Sequence, residues 1–247
     1  MNFSLTRDEC MRFFRDGYLG PLTLVSPAEM ARMREQAERE ILSTPGPFPK
    51  NPEQMRHLDH PLVANIVSHP ALVQRVASLL GPDLVVWRSN FFNKAPGGKE
   101  VPWHQDVNYW QIDPPLNITA WIALDDVTTE NSCVRVIPGS HKKVVPHVPS
   151  VGEMQFQEMA DPRFVEKEKA VDMVLKAGQF FIFSERILHQ SNPNHSNKRR
   201  MCMVVRLTTP FVVVPPLYDG YKPSLVSGSD RFGFNEYAPL ACEAAAV

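Results

Sequence analysis

Hydrophobic residues recur at helical spacing in the first third of the chain. A capping box formed by Thr6 and Glu9 predicts a first helix that ends at Gly17 or Gly20. The segment 43–60 is rich in proline and indicates a loop. Two further helices are predicted, over residues 28–42 and 70–80.

From residue 83 onward, apolar residues come instead in short runs bounded by turn residues, which is typical of β-strands. Helices followed by many short strands favour an α+β fold whose core is a β-sandwich or barrel. The strands are predicted at 84–87 with 90–93, 118–124, 133–137, 170–175, 179–183 and 200–214. We expect a single domain, 1–247, with a mainly helical part at 1–82, a strand core at 83–214 and an irregular tail or lid at 215–247.

The composition narrows the class of partner. The chain is 43% hydrophobic and 21% charged, with a formal net charge of −1, as in ordinary globular proteins. Because the chain has no excess of Lys and Arg, we expect neither nucleic acid nor a membrane as a partner. The four cysteines are scattered, and the N-terminus lacks the features of a signal peptide. These observations favour a cytoplasmic protein with reduced thiols.

His104 and Asp106 form the first candidate for chemistry. Residues two apart in an extended strand project from the same face, so these two side chains can offer adjacent metal ligands. A second histidine would complete a 2-His-1-carboxylate triad, which leaves positions open and is typical of non-haem Fe(II) oxygenases. Taken alone, the pair is equally compatible with a structural hydrogen bond.

Among the eight histidines, His189 is the candidate for the second nitrogen ligand. It closes an aromatic strand, and Arg200 opens the next strand eleven residues later. This arrangement suits a metal that chelates a 2-oxoacid, because the far carboxylate of such a molecule needs a fork-shaped cation. Ser191 can donate to the same carboxylate, although a serine before Asn-Pro is often only a turn residue.

Several short strings, in this order, resemble the phytanoyl-CoA dioxygenase family. They are NKAPG at 93–97, WHQD at 103–106, AW at 120–121, IPGSH at 137–141, and His189 with Arg200. The resemblance covers roughly residues 85–207, while 1–80 agrees more loosely. It implies an Fe(II)- and 2-oxoglutarate-dependent oxygenase on a double-stranded β-helix, a cupin-like jelly roll, flanked by N-terminal helices.

The resemblance also implies roles for individual residues. The iron ligands would be His104, Asp106 and His189. The residues that contact 2-oxoglutarate would be Arg200, Ser191, Trp121 and Asn93. Halogenating relatives replace the carboxylate ligand by a small residue, so Asp106 favours hydroxylation or another C–H oxidation. Candidates for the substrate pocket are Arg88, Asn90, Trp110 and Arg206, although an internal ion pair would equally explain Arg206.

The expected function is oxidation of a C–H bond in a small-molecule metabolite, with consumption of 2-oxoglutarate and O2 and release of succinate and CO2. No basic patch for a CoA phosphate is evident, which favours a small free metabolite over an acyl-CoA. Two alternatives remain open. One is a non-catalytic jelly-roll binding protein, and the other is a metal-dependent hydrolase, which would lack an evident general base.

Overall fold

The computed structural model describes residues 1–48 and 50–241. Its α-helices are α1 (Arg7–Asp16), α2 (Pro27–Gln36), α3 (Pro61–Val67) and α4 (Pro70–Leu80). The predicted capping box is present at Thr6, and α1 ends at Gly17, whose φ of 84° is a backbone conformation that glycine adopts readily. A π-helical turn, Ala37–Ile41, extends α2 to nearly the predicted length. The short helix α3 was not predicted.

Twelve strands lie in the described part of the chain and pair antiparallel throughout. A six-stranded sheet has the order β1-β9-β4-β11-β2-β12, a four-stranded sheet has the order β3-β10-β5-β8, and β6 pairs with β7. The strands are β1 (Tyr18–Thr23), β2 (Leu84–Lys94), β3 (Val101–His104), β4 (Ile118–Ala123), β5 (Val134–Val136), β6 (His147–Pro149), β7 (Glu158–Ala160), β8 (Val171–Met173), β9 (Gln179–Ser184), β10 (His189–Ser191), β11 (Arg200–Thr208) and β12 (Ser224–Ser227).

Alternation along the central strands builds two apolar layers. Ile122 and Phe180 point from the large sheet toward the helices, where they join a core that includes Met30. Their neighbours Trp121 and Phe181 point the other way and pack with residues of the small sheet. The predicted α+β jelly roll is therefore confirmed, with its helices on the outer face of the large sheet.

Three details differ from the predictions. Tyr18–Thr23 forms an edge strand although its Gly-Pro pair indicates a turn, because it pairs with β9. The predicted run 200–214 ends as a strand at Thr208, just before Thr209-Pro210, where proline has no N–H to donate. The tail predicted to be irregular contributes Ser224–Ser227 to the large sheet, and its residues 242–247 lie outside the described residues.

No helix in the described ranges is long and apolar enough to cross a membrane.

Candidate active site

The three predicted metal ligands meet between the two sheets. Strands β3 and β10 pair so that His104 and His189 lie opposite each other, with ring centroids 4.0 Å apart. Asp106 Oδ1 lies 3.7 Å from Nε2 of His104 and 3.9 Å from Nε2 of His189. All three side chains are buried. His189 begins β10 rather than closing a strand, and this register brings it to His104.

The outer ring nitrogens of both histidines are held by backbone carbonyls. Nδ1 of His104 lies 2.8 Å from the Pro102 carbonyl, and Nδ1 of His189 lies 3.1 Å from the Ile187 carbonyl. Because a carbonyl only accepts, each Nδ1 carries the proton and donates it. In the neutral ring this leaves the lone pair on Nε2, the nitrogen nearer Asp106, which is the tautomer that a metal ligand requires.

The protonation states also suit a divalent metal. Burial, and secondarily His104, lower the pKa of His189 to about 3, so its imidazole is neutral. Burial alone would raise the pKa of Asp106, but Arg206 and the two histidines outweigh it and hold that pKa well below its usual range. Two imidazole nitrogens and one carboxylate match the donor set of a facial triad for Fe(II).

Gln105 fixes the direction of the two ligands beside it. Strand β3 ends at His104 and a 3₁₀ turn begins at Asp106, so the two ligands do not lie in one continuous strand. Gln105 itself keeps an extended backbone, and Asp106 still emerges on the face of His104. The carboxamide of Gln105 is fully buried and points away from the triad. It donates to the carbonyls of Lys143 and Arg186 and accepts a hydrogen bond from the backbone N–H of Val145.

A cavity of about 110 Å³ is lined by the triad and, beside it, by Arg200, Ser191 and Trp121. Nη1 of Arg200 donates to the Ser132 carbonyl at 2.8 Å, and its Cζ lies 5.1 Å from the centroid of the Trp121 ring. Nε is buried and has no hydrogen-bond partner among the described residues. The Nε–Nη2 edge is therefore the side of the guanidinium left for a carboxylate.

Asn93 does not join this site, whereas its neighbour Lys94 does. Asn93 is exposed and lines neither cavity, because adjacent strand residues point to opposite faces. Lys94 is buried and donates from Nζ to Ser191 Oγ at 2.8 Å and to Ser132 Oγ at 3.0 Å. Burial, with Arg200 adding to it, lowers the pKa of Lys94 to about 7. Since Ser191 accepts from Lys94, its own hydroxyl hydrogen is free for another acceptor.

A second cavity, of about 440 Å³, adjoins the smaller one and shares Asp106 and Arg206 with it, whereas Arg200 does not line it. All four residues predicted for the substrate pocket line it, namely Arg88, Asn90, Trp110 and Arg206. Phe156, from the loop between β6 and β7, forms another part of the wall and packs edge-on against the His104 ring at 4.9 Å between centroids. No sequence pattern marked Phe156, because it lies in an irregular loop. The volume is typical of a small-molecule site.

The model of the phytanoyl-CoA dioxygenase (PhyH) family matches residues 13–202 of this sequence. The chain belongs to this family. An ectoine dioxygenase from Bordetella parapertussis is 26% identical over 267 residues, which cover 96% of this chain and 86% of that protein. Dioxygenase lolE1 of Epichloe uncinata is 32% identical over 141 residues, and the matched part spans only 52% of its length and 57% of this chain.

Among solved structures, CytC3 with Fe(II) and alpha-ketoglutarate superposes with a TM-score of 0.74 and 32% identity, covering 96% of this chain and 94% of CytC3. Family membership and the His-Asp-His triad together confirm the predicted enzyme class, a 2-oxoglutarate-dependent non-haem iron dioxygenase. Its cofactor is Fe(II), and its cosubstrates are 2-oxoglutarate and O2. Neither the non-catalytic alternative nor the hydrolase is favoured.

Proposed function

We propose that this PhyH-family dioxygenase hydroxylates, or otherwise oxidises at a C–H bond, a small free metabolite. The observation that carries the proposal is a pair of adjoining cavities of different size, of which the smaller is lined by the whole triad and the larger by Asp106. The smaller cavity contains Arg200, whose Nε–Nη2 edge is available to bind a carboxylate. The larger cavity has a volume typical of a site for a small metabolite. When bound, Fe(II) with 2-oxoglutarate supplies the O2 activation that C–H oxidation needs, with release of succinate and CO2.

In the proposed arrangement, His104, Asp106 and His189 would hold the iron, and three protein ligands would leave coordination positions for 2-oxoglutarate and O2. Arg200 binds the distal carboxylate of 2-oxoglutarate through its free edge, and Ser191 donates its hydroxyl to the same group. Binding this carboxylate orients the 2-oxoacid end of the molecule toward the triad.

On the substrate side, Trp110, Tyr109 and Phe156 exclude water from the reacting carbon. The carboxylate ligand Asp106 is retained, which supports oxidation without halogenation. The chain spans most of a relative named for ectoine, a small free molecule, and this supports a free metabolite over an acyl-CoA. We further propose that 1–247 acts as one catalytic domain.

Succinate formation from 2-oxoglutarate tests the proposal directly. Purified protein with Fe(II), ascorbate and O2 is expected to release succinate, faster when an accepted substrate is present. His189→Ala should abolish the reaction, whereas the matched variant His195→Ala, which changes an exposed loop histidine, should not. Absence of succinate from the wild-type protein, together with failure to bind Fe(II) and 2-oxoglutarate, would refute the assignment.

A further inference from the structure

We propose that the substrate carries an oxyanion, specifically a carboxylate, that binds between Arg88 and Arg206 in the 440 Å³ cavity. The inference rests on the proposed function, because it takes this cavity as the place of the substrate. It adds the chemical class of the molecule and the end by which the protein holds it.

The first argument is a set of buried donors without acceptors. Arg206 is only 7% exposed, and its Nη2 lies 3.3 Å from Asp106 Oδ2. Its Nε and Nη1, and Nε1 of Trp110, are buried and have no hydrogen-bond partner in the described chain. Buried guanidinium N–H groups left unpaired are costly, and all three donors belong to side chains that line the same cavity. A carboxylate would satisfy several of them at once.

The second argument is the clustering of like charge. Cζ of Arg88 lies 4.4 Å from the centroid of the Trp110 ring, and Cζ of Arg206 lies 5.0 Å from the same centroid. Nε of Arg88 donates to Asn90 at 3.1 Å, but Arg88 makes no ion pair within the described residues. Burial, with Arg206 adding to it, lowers the pKa of Arg88 to about 10, so the Arg88 guanidinium stays charged at neutral pH.

The third argument is charge balance at the loaded site. Asp106 is the one carboxylate among the residues that line this cavity, and it also belongs to the triad. The charges of a divalent iron and Arg200 are balanced by Asp106 and the two carboxylates of 2-oxoglutarate. Arg88 and Arg206 then keep two positive charges with no counter-charge from the cavity wall, and an anionic substrate supplies one.

The geometry also restricts where the substrate is oxidised. Arg206 touches an oxygen of the metal-binding Asp106, so a carboxylate held by Arg206 lies beside the reactive centre. The oxidised carbon is therefore only a few bonds from the carboxylate. An acyl-CoA has a thioester at this end and offers no free carboxylate. The carboxamides of Gln54, Gln155 and Gln157 on the same wall can pair with further polar groups of a compact substrate.

Matched pairs of a carboxylate and its neutral carboxamide test the inference without knowledge of the natural substrate. The probes are cyclohexanecarboxylate, benzoate and butanoate, each with its carboxamide. They are titrated by calorimetry into anaerobic protein saturated with Fe(II) and 2-oxoglutarate. We expect at least one carboxylate to bind about tenfold or more tightly than its amide, the gain typical of a charge-assisted hydrogen bond.

Arg88→Gln is the informative variant, because Arg88 does not contact the triad. It should reduce the preference for carboxylate to within about threefold, and Arg88→Lys should restore part of it. The matched control is Arg32→Gln, which removes one exposed positive charge on α2 and should leave the preference intact.

The inference is overturned if no carboxylate binds better than its amide, or if Arg88→Gln keeps the wild-type preference. The charge-transfer absorption of the Fe(II)–2-oxoglutarate chelate is recorded in the same samples. Its presence without a carboxylate preference leaves the proposed function standing and removes only the anion site. Its absence from the wild-type protein counts against the proposed function.

Discussion

Replacement of Arg200 by glutamine should specifically weaken the binding of 2-oxoglutarate. The side chain is 5% exposed, and one nitrogen is already bound to the carbonyl of Ser132. The remaining Nε–Nη2 edge faces the smaller cavity without a protein acceptor in the described ranges. Glutamine has neither the positive charge nor the fork, so both hydrogen bonds to a carboxylate would be lost or weakened.

The magnitude follows from the two bonds. Each hydrogen bond to a charged group contributes about 1.5–3 kcal/mol, so loss of both weakens binding by at least about 3 kcal/mol. This corresponds to a rise of roughly 150-fold in Kd for 2-oxoglutarate. Arg200→Lys keeps the charge but not the fork, and an increase of about tenfold is expected.

The assay is an anaerobic titration of Fe(II)-loaded protein with 2-oxoglutarate, followed through the absorption of the chelate. Arg199→Gln is the matched control, because Arg199 is the adjacent residue but pairs with Glu38 and Asp125 and lines neither cavity. The control should bind 2-oxoglutarate within about twofold of the wild type. If folded Arg200→Gln, judged by its melting curve, binds 2-oxoglutarate as tightly as Arg199→Gln does, the proposed role of Arg200 is wrong.

Three further outcomes are expected. Asp106→Ala should no longer bind iron stoichiometrically, as measured by metal analysis after gel filtration. The control Asp219→Ala, at an exposed position, should retain its iron, and equal retention in both variants would remove Asp106 from the ligand set. Gln105→Leu should lower the free energy of unfolding in urea by about 1–3 kcal/mol and weaken iron binding, because it leaves buried backbone groups unpaired; unchanged iron affinity would refute its positioning role. Burial raises the pKa of Glu185 from 4.5 to about 7. Between these two pH values the folded protein keeps a proton that the unfolded chain releases. The free energy of unfolding should therefore fall by about 3 kcal/mol as the pH rises through this window. Glu185→Gln should largely remove this fall, which urea unfolding at pH 5 and pH 8 measures. The assignment is contradicted if the wild type and Glu185→Gln show the same difference in unfolding free energy between the two pH values.

The elements that could be predicted from the sequence are those whose signals are local. Helix α1 carries its own capping box and terminal glycine, and the buried runs of β4 and β9 are unbroken by turn residues. The strand Tyr18–Thr23 carries no such signal, because its Gly-Pro pair favours a turn and only pairing with β9 makes it extended. Strand β12 has four residues and depends in the same way on β2.

The residues of the site likewise divide into those with a local sequence signal and those whose position depends on strand pairing or loop path. His104 and Asp106 could be found because their spacing within one segment already indicates chemistry, and His189 and Arg200 because their mutual spacing matches the family that the sequence resembles. Lys94 was missed and Asn93 was wrongly included, since which of two adjacent strand residues faces inward depends on the register with β11. Phe156 reaches the His104 ring from a loop whose path no periodicity describes.

Strand β11 sets the distance between the two ends of the site. Arg200 begins the strand and lines the smaller cavity, whereas Arg206, six residues later and about 20 Å along an extended backbone, lines both cavities. Pairing with β4 sets Arg206 opposite Thr119 on one side, while pairing with β2 sets Arg200 opposite Lys94 on the other. A register slip of one residue would turn both arginines away from the triad. The same pairings that build the large sheet therefore hold both cationic groups in place, one proposed to bind the cosubstrate and one proposed to bind the substrate carboxylate.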